Sequence, residues 1–255
     1  MPRYILYTLH FCIVILVWVQ VVELVLDVMK EMQSSTTTSF VRDGEPTCQF
    51  QRQASELSDT LLHGVGHPAA ESGMVKSAFR PSDDATTLPF LVPANAMAVV
   101  ELRKTTTIVQ ALIGDGGGIS SAFSESYLNG LVDDMTSMAY TINAGIQKYG
   151  IGVHLLKGTK QYAYEVDGYG NMYYADDANV PSLLSLPYLG YVNATDPIYI
   201  NTRYFVLSSN NPWYFSGKAG AGVGGPHVGL NSIWPMSIII QNSDFDRFGG
   251  NYELR

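Results

Sequence analysis

An all-α fold, its helices packed against one another and interrupted by one short β-hairpin, is what three features of this 255-residue sequence predict. Apolar residues recur at three and four along 21–32 and 128–146, the repeat of a single helix face. The apolar stretch 89–113 carries its prolines only near the start, where a helix tolerates them. Between 161 and 177 the period changes, because QYAYEVDGYGNMYYADD alternates aromatics around an Asp-Gly turn, the pattern of a short hairpin or an extended loop.

Residues 1–20, MPRYILYTLHFCIVILVWVQ, begin basic and then run apolar from Phe11 to Val19. That run is shorter than the roughly 20 residues a bilayer span needs, so two readings stand: a membrane anchor over 4–19, or a buried extension of the helix that follows. No small-residue cleavage site argues for a signal peptide. Past Gln20, the positions Val21, Leu24, Val25, Val28, Met29 and Met32 share one helical face, which is expected to pack into a core. The stretch 34–44 is a polar break, and Asp59 in the segment after it is read as a helix cap.

The centre of the chain is 78–102, AFRPSDDATTLPFLVPANAMAVVEL, whose polar head holds Arg80, Pro81, Asp83 and Asp84 before an apolar helix. Pro81 stiffens the backbone there, and the plain role for Ser82, Asp83 or Asp84 is to cap that helix. The GDGGG run at 114–118 is a connection, since it lacks the lysine of a phosphate loop and follows a helix. From Ser120 a helix signal leads into Leu128, Leu131, Val132, Met135, Met138, Ala139, Ile142 and Ile146 and ends at Gly150. Further on, Glu165 and Asp167 lie two apart and so share a strand face; the plain reading is a hairpin with solvated acids. Short helices are expected within 181–190 and 198–208, then a glycine-dense loop at 217–225 running into His227, and a last helix at 236–241 opened by Trp234 and Pro235.

Apolar residues make up 46% of the chain and charged residues 15%, with 16 Tyr, 10 Phe and 3 Trp, which excludes a disordered chain or a charge-laced coiled coil and suits a sugar-binding surface. The net charge of −8 argues against a nucleic-acid partner, which would need clustered Lys and Arg. Cys12 and Cys48 rule out a disulfide-dense scaffold and allow one disulfide that nothing else supports. The five histidines, at 10, 63, 67, 154 and 227, are scattered without ligand spacing, so neither a metal nor another cofactor is predicted. Asn193-Ala194-Thr195 is a glycosylation sequon; with the apolar N-terminus it favours the secretory pathway or the extracellular space. The oligomeric state is not legible.

FRPSDDA and PFLVPAN in the central stretch, YAYEVDGYGN at 162–171 and GGPHVGLNSIWPMSIIIQ at 224–241 resemble, in this order, the signature blocks of glycoside hydrolase family 125. The resemblance extends over about 21–241, with softer matches at Phe50, Gln51, Arg52 and Asp59. It implies an (α/α)6 barrel and an exo-acting, inverting α-1,6-mannosidase that removes terminal mannose from oligosaccharides or N-glycans. A mannose-containing oligosaccharide is then the partner. Inversion needs an acid at the leaving oxygen and a second carboxylate about 6.5–9.5 Å away to activate water. Asp83 or Asp84 matches the acid position, and Arg80, Glu165, Asp167, His227 and Trp234 are the implied substrate-binding residues, the indole supporting a sugar face. The family's base is a glutamate in a HESF-like block after the IWPMS helix; here that helix runs into NSDFDRFGGNYELR, where Glu253 is the one glutamate. Residues 1–255 are therefore expected to form a single but partial barrel domain, poor or inactive alone. Two other classes are weighed against it: a non-catalytic helical carbohydrate-binding or scaffold protein, and a membrane-anchored structural protein resting on residues 4–19.

Overall fold

The computed structural model describes residues 3–38, 60–61, 64–114, 123–154 and 158–248. The readings of 50–52, Asp59, Cys48, His63, the glycine run after Gly114 and Glu253 lie outside these residues, as do the side chains of His10 and Cys12.

Helix α1 (Arg3–Met32) runs unbroken through the apolar segment, so 4–19 continues the helix that follows it. No described helix is long and apolar enough to cross a membrane. Its buried side is only partly the one expected: Met29 packs inward as expected, but Val21, Leu24, Val25 and Val28 face outward, while Val19 and Leu26 are buried with Ile15, Trp18 and Val22 packed beside them. The physical reason is that α1 is apolar nearly all round, and a repeat of three and four fits either face of such a helix. Polar contacts select the side, since Lys30 Nζ donates to Asp134 at 2.9 Å and the Tyr127 hydroxyl donates to Glu23 at 2.9 Å.

After β1 (Phe90–Leu91) come helix α2 (Val92–Gly114) and helix α3 (Glu125–Tyr149), which pack against each other as the main helix pair. Ser124 caps α3 by accepting from the Tyr127 amide at 3.1 Å, and Gly150 closes it. The residues expected inside, from Leu128 through Met135 and Met138 to Ile142 and Ile146, are the buried ones. Here one face is apolar and the opposite face is charged, so periodicity decides.

Hairpin β2 (Ile151–Val153) and β3 (Lys160–Tyr162) follows. Then β4 (Glu165–Val166) and β5 (Met172–Tyr173) join β1 in a three-stranded antiparallel sheet of order β1-β4-β5, with Leu91 opposite Glu165 and Glu165 opposite Tyr173. Helix α4 (Leu186–Leu189) ends on Gly190, whose φ of 88° is left-handed, and α5 (Pro197–Val206) starts on Asp196, whose carboxylate accepts two backbone amides. Asn193 of the sequon is exposed just before it, its side chain accepting from Thr195.

The glycine-dense stretch expected to be a loop is a hairpin, β6 (Tyr214–Gly217) with β7 (Gly220–Val223). Gly222 sits there for lack of space, because a Cβ would come 2.8 Å from Ile233 Cγ2. The last helix, α6 (Pro235–Phe248), is longer than expected. The architecture is helical as predicted, but the described residues hold three short hairpins, β2–β3, β4–β5 and β6–β7, where the sequence reading expected one.

Helix α3 and the 72–74 strand of chain touch at Gly145, where a Cβ would stand 2.5 Å from the Ser72 carbonyl oxygen and 2.9 Å from Met74 Cγ. In an exposed helix Gly→Ala stabilises by about 1 kcal/mol. At this position overpacking outweighs that gain, and Gly145→Ala is predicted to destabilise the chain by about 1–3 kcal/mol in urea unfolding. A variant as stable as the parent or more so would show that the two segments are not in contact.

Candidate active site

Residues 79–85 form a tight reversal. Phe79 and Ala85 are bridged, the Arg80 amide donates to the Asp84 carbonyl at 2.8 Å, and the Asp83 amide donates to the Arg80 carbonyl at 2.9 Å. Pro81, with its fixed φ, sits at the corner, as β-turns favour. Asp83 follows with φ 76°, a left-handed backbone that a non-glycine residue adopts at a cost of about 1–2 kcal/mol. The consequence is a split: Asp83 is exposed, whereas Ser82 and Asp84 turn inward and are buried. None of the three caps α2, which begins only at Val92.

Below the turn lies a buried ion pair. Arg80 Nε donates to Glu165 Oε1 at 2.6 Å, with side-chain exposures of 5% and 0%. Glu165 Oε2 accepts the amides of Thr87 and Leu88 at 2.8 and 2.9 Å, and Arg80 Nη2 donates to the Thr87 hydroxyl at 3.2 Å. One carboxylate thus ties together both ends of the 80–88 loop. The guanidinium also lies 5.3 Å from the Tyr164 ring centroid and 5.6 Å from that of Tyr173, within cation–π range. Burial alone would push the guanidinium down; the hydrogen bond and charge of Glu165 outweigh it and hold Arg80 above its ordinary value.

Beside the pair, Ser82 Oγ contacts two carboxylates, Asp177 Oδ2 at 2.6 Å and Asp84 Oδ2 at 3.0 Å. Asp177 is held from its other oxygen by the Asn179 amide and side chain at 3.1 and 3.0 Å. Its neighbour Asp176 is fully buried and accepts the amides of Leu183 and Leu184 at 2.8 and 3.0 Å. Burial pushes Asp176 up to about 8, against those two donors and with the Asp177 charge adding to the rise. The Tyr164 hydroxyl is also buried and has no hydrogen-bond partner among the described residues; burial first, then Asp177 and Asp176, pushes it well above its ordinary value.

The structure brings Arg80, Glu165, Asp83 and Asp84 together. Asp167 lies next along the chain, but its carboxylate is spent on its own turn, accepting Tyr169 N at 2.8 Å, Asn171 N at 3.1 Å and Asn171 Nδ2 at 2.5 Å. The acids at 165 and 167 are buried, not solvated. His227 is exposed on a 3-10 turn, Pro226–Val228, two residues after Gly225, which packs on Asp177. Trp234 is 38% exposed just before α6, its amide bonded to the Val223 carbonyl at 3.1 Å.

The model of the family "metal-independent alpha-mannosidase (GH125)" matches residues 4–246. The chain belongs to glycoside hydrolase family 125. It is 44% identical over 244 residues to the meiotically up-regulated gene 157 protein of Schizosaccharomyces pombe, covering 93% of this chain and 45% of that protein. A Streptococcus pneumoniae metal-independent α-mannosidase, solved in a non-productive complex with α-1,6-mannobiose, matches with a TM-score of 0.78 and 35% identity over 89% of this chain and 49% of that one. The chain spans about half the length of these relatives. For this family 125 chain the likeness extends to the (α/α)6 barrel fold, consistent with its paired helices.

Asp176, Asp177 and Gly225 were not singled out from sequence, and Ser82 only as a candidate helix cap. The available signal was the Asp-Asp doublet at 176–177, followed two residues later by Asn179, a spacing typical of an aspartate that folds its own turn.

Asp176 gives a pH test. Raised above the unfolded value of about 4, it binds a proton in the folded chain that the unfolded chain has released, so its contribution is full below about 4 and lost as pH rises through about 8. Stability of the parent is predicted to fall between those limits relative to Asp176→Asn. Parallel stability–pH curves for the two proteins would contradict the raised Asp176.

Proposed function

We propose that this chain carries the acid-bearing side of an inverting α-mannosidase site, acting on terminal α-1,6-linked mannose of oligosaccharides or N-glycans. The observation that carries the reading is the presentation of Asp83: an exposed aspartate in a left-handed conformation, between two buried neighbours whose side chains meet each other. Strained backbone persists where the surroundings over-determine it, and such positions gather at active sites. Further support comes from the family description and from the α-1,6-mannobiose bound to the Streptococcus pneumoniae relative.

In this reading Asp83 is the general acid. The glycosidic C1–O bond breaks and its oxygen takes the Asp83 proton; water bonds to C1 from the opposite ring face and gives its proton to a second carboxylate. Asp84, tied to Ser82, positions the turn. Arg80 and Glu165 are committed to each other and act on substrate only through the loop they hold. His227 and Trp234, both exposed, are the sugar contacts of this half, a hydrogen bond and a ring face.

Glu165, Asp167 and Asp176 do not serve as the base. Each already accepts at both of its oxygens, from two or three donors in all. Residues 1–255 alone are therefore predicted to release mannose from α-1,6-mannobiose about 10²–10⁴ times more slowly than a version extended to the length of the relatives. In that extended version, Asp83→Asn should lower kcat by a similar factor and Asp84→Asn by less. Equal turnover from the short and extended chains, or a larger loss at Asp84 than at Asp83, would reverse the assignment.

A further inference from the structure

Asp177 is none of the residues that would touch the sugar, yet it is 1% exposed, and its carboxylate meets two other segments as well as its own turn. Through Oδ2 it takes the Ser82 hydroxyl at 2.6 Å, the shorter of the two Ser82 contacts. Through Oδ1 it holds Asn179 at both amide positions. On its open face lies Gly225, where a Cβ would come 3.1 Å from Cγ and Oδ1 and 3.2 Å from Oδ2. Gly225 has an extended backbone, φ 179°, which any residue adopts, so glycine there supplies room and not conformational freedom. The Ala178 amide donates to the Gly224 carbonyl at 3.0 Å and fixes the two segments side by side.

We propose that Asp177 is a positioning residue for the reaction of Asp83, acting through Ser82 and held in place by the Gly225 backbone. A hydroxyl has one hydrogen, so Ser82 donates it chiefly to Asp177, the shorter contact at 2.6 Å, and Asp84 at 3.0 Å shares that donor from the other side. Ser82 and Asp84 are the residues immediately before and after Asp83. Pinning Ser82 to Asp177, with the Asp84 carboxylate held against the same hydroxyl, restricts the residue between them, which is how a left-handed aspartate is kept at the tip of the turn. The Gly225 backbone that packs on the carboxylate holds it in place from the opposite side. The proposal rests on the mannosidase reading for its kinetic consequence, and not for the contact itself.

Three variants separate a positioning role from a purely structural one. Asp177→Asn and Ser82→Ala cut the link from either side; Gly225→Ala leaves every hydrogen-bonding group present and displaces the carboxylate by a few tenths of an ångström. In the extended enzyme each is expected to lower kcat on α-1,6-mannobiose, by about 10–100-fold for the first two and about 3–10-fold for the third, with KM within about twofold, since geometry and not binding is altered. The double variant Asp177→Asn/Ser82→Ala should lose no more than the worse single variant, the mark of one shared contact. In residues 1–255, where turnover is not read, amide exchange at Arg80 and Asp83 should quicken about tenfold in each variant with the melting temperature little changed. Unaltered exchange would remove the contact and the proposal with it. Faster exchange with unchanged kcat, or losses that multiply in the double variant, would leave Asp177 a structural residue and overturn the positioning role. Faster exchange in a protein whose extended form releases no mannose would uphold the contact and overturn the mannosidase reading instead.

Discussion

A guanidinium and a carboxylate taken out of water together set the geometry of the 80–88 loop. Removing two such charges from water costs several kcal/mol each, and the attraction between them repays it only when the remaining donors and acceptors are also satisfied. At Arg80 and Glu165 they are. The carboxylate accepts one guanidinium bond and two amides, and the guanidinium adds a hydroxyl and two aromatic faces. Because every partner belongs to the 80–88 loop or to the β4–β5 region, satisfying the charges and folding the loop onto the sheet are one event. Sheet β1-β4-β5 in turn leads into α2, so the ion pair connects the loop to the main helix pair.

Around this anchor the carboxylates divide by what they are bonded to. Asp167 and Asp196 fold the turns that contain them, Asp176 receives the start of the 182–189 segment, and Glu165 neutralises Arg80. Asp83 alone among the acids of the turn region is held out to solvent by a backbone it would not choose in isolation. The aromatic richness that suits sugar binding is partly internal: Tyr164 and Tyr199 are fully buried, so only a fraction of those rings is available to a ligand.

Elements with two chemically distinct sides were legible in the sequence, and elements without them were not. Helix α3 has a charged back, and its buried set could be read residue by residue. Helix α1 could be read as a helix but not as a face, because Val and Leu occupy both sides. The 217–225 glycines signalled a loop by composition, although Gly222 and Gly224 are there because neighbouring chain comes too close for a side chain, a property of the tertiary fold. At the site, Arg80, Asp83, Asp84 and Glu165 were found through the resemblance. Their division into an internal pair, a buried anchor and an exposed tip was not, because it depends on Asp177 and Gly225, which lie 95 and more residues from the turn.

The claim on which the rest depends is that Arg80 and Glu165 act as one unit, and a double-mutant cycle measures it directly. Arg80→Met and Glu165→Gln each leave a buried group without its partner, and each is predicted to destabilise residues 1–255 by about 3–5 kcal/mol in urea unfolding. The pair made together removes both charges and should cost no more than either single change, a coupling of at least about 3 kcal/mol. Costs that simply add would mean that the two side chains hold the loop independently, and would contradict the account.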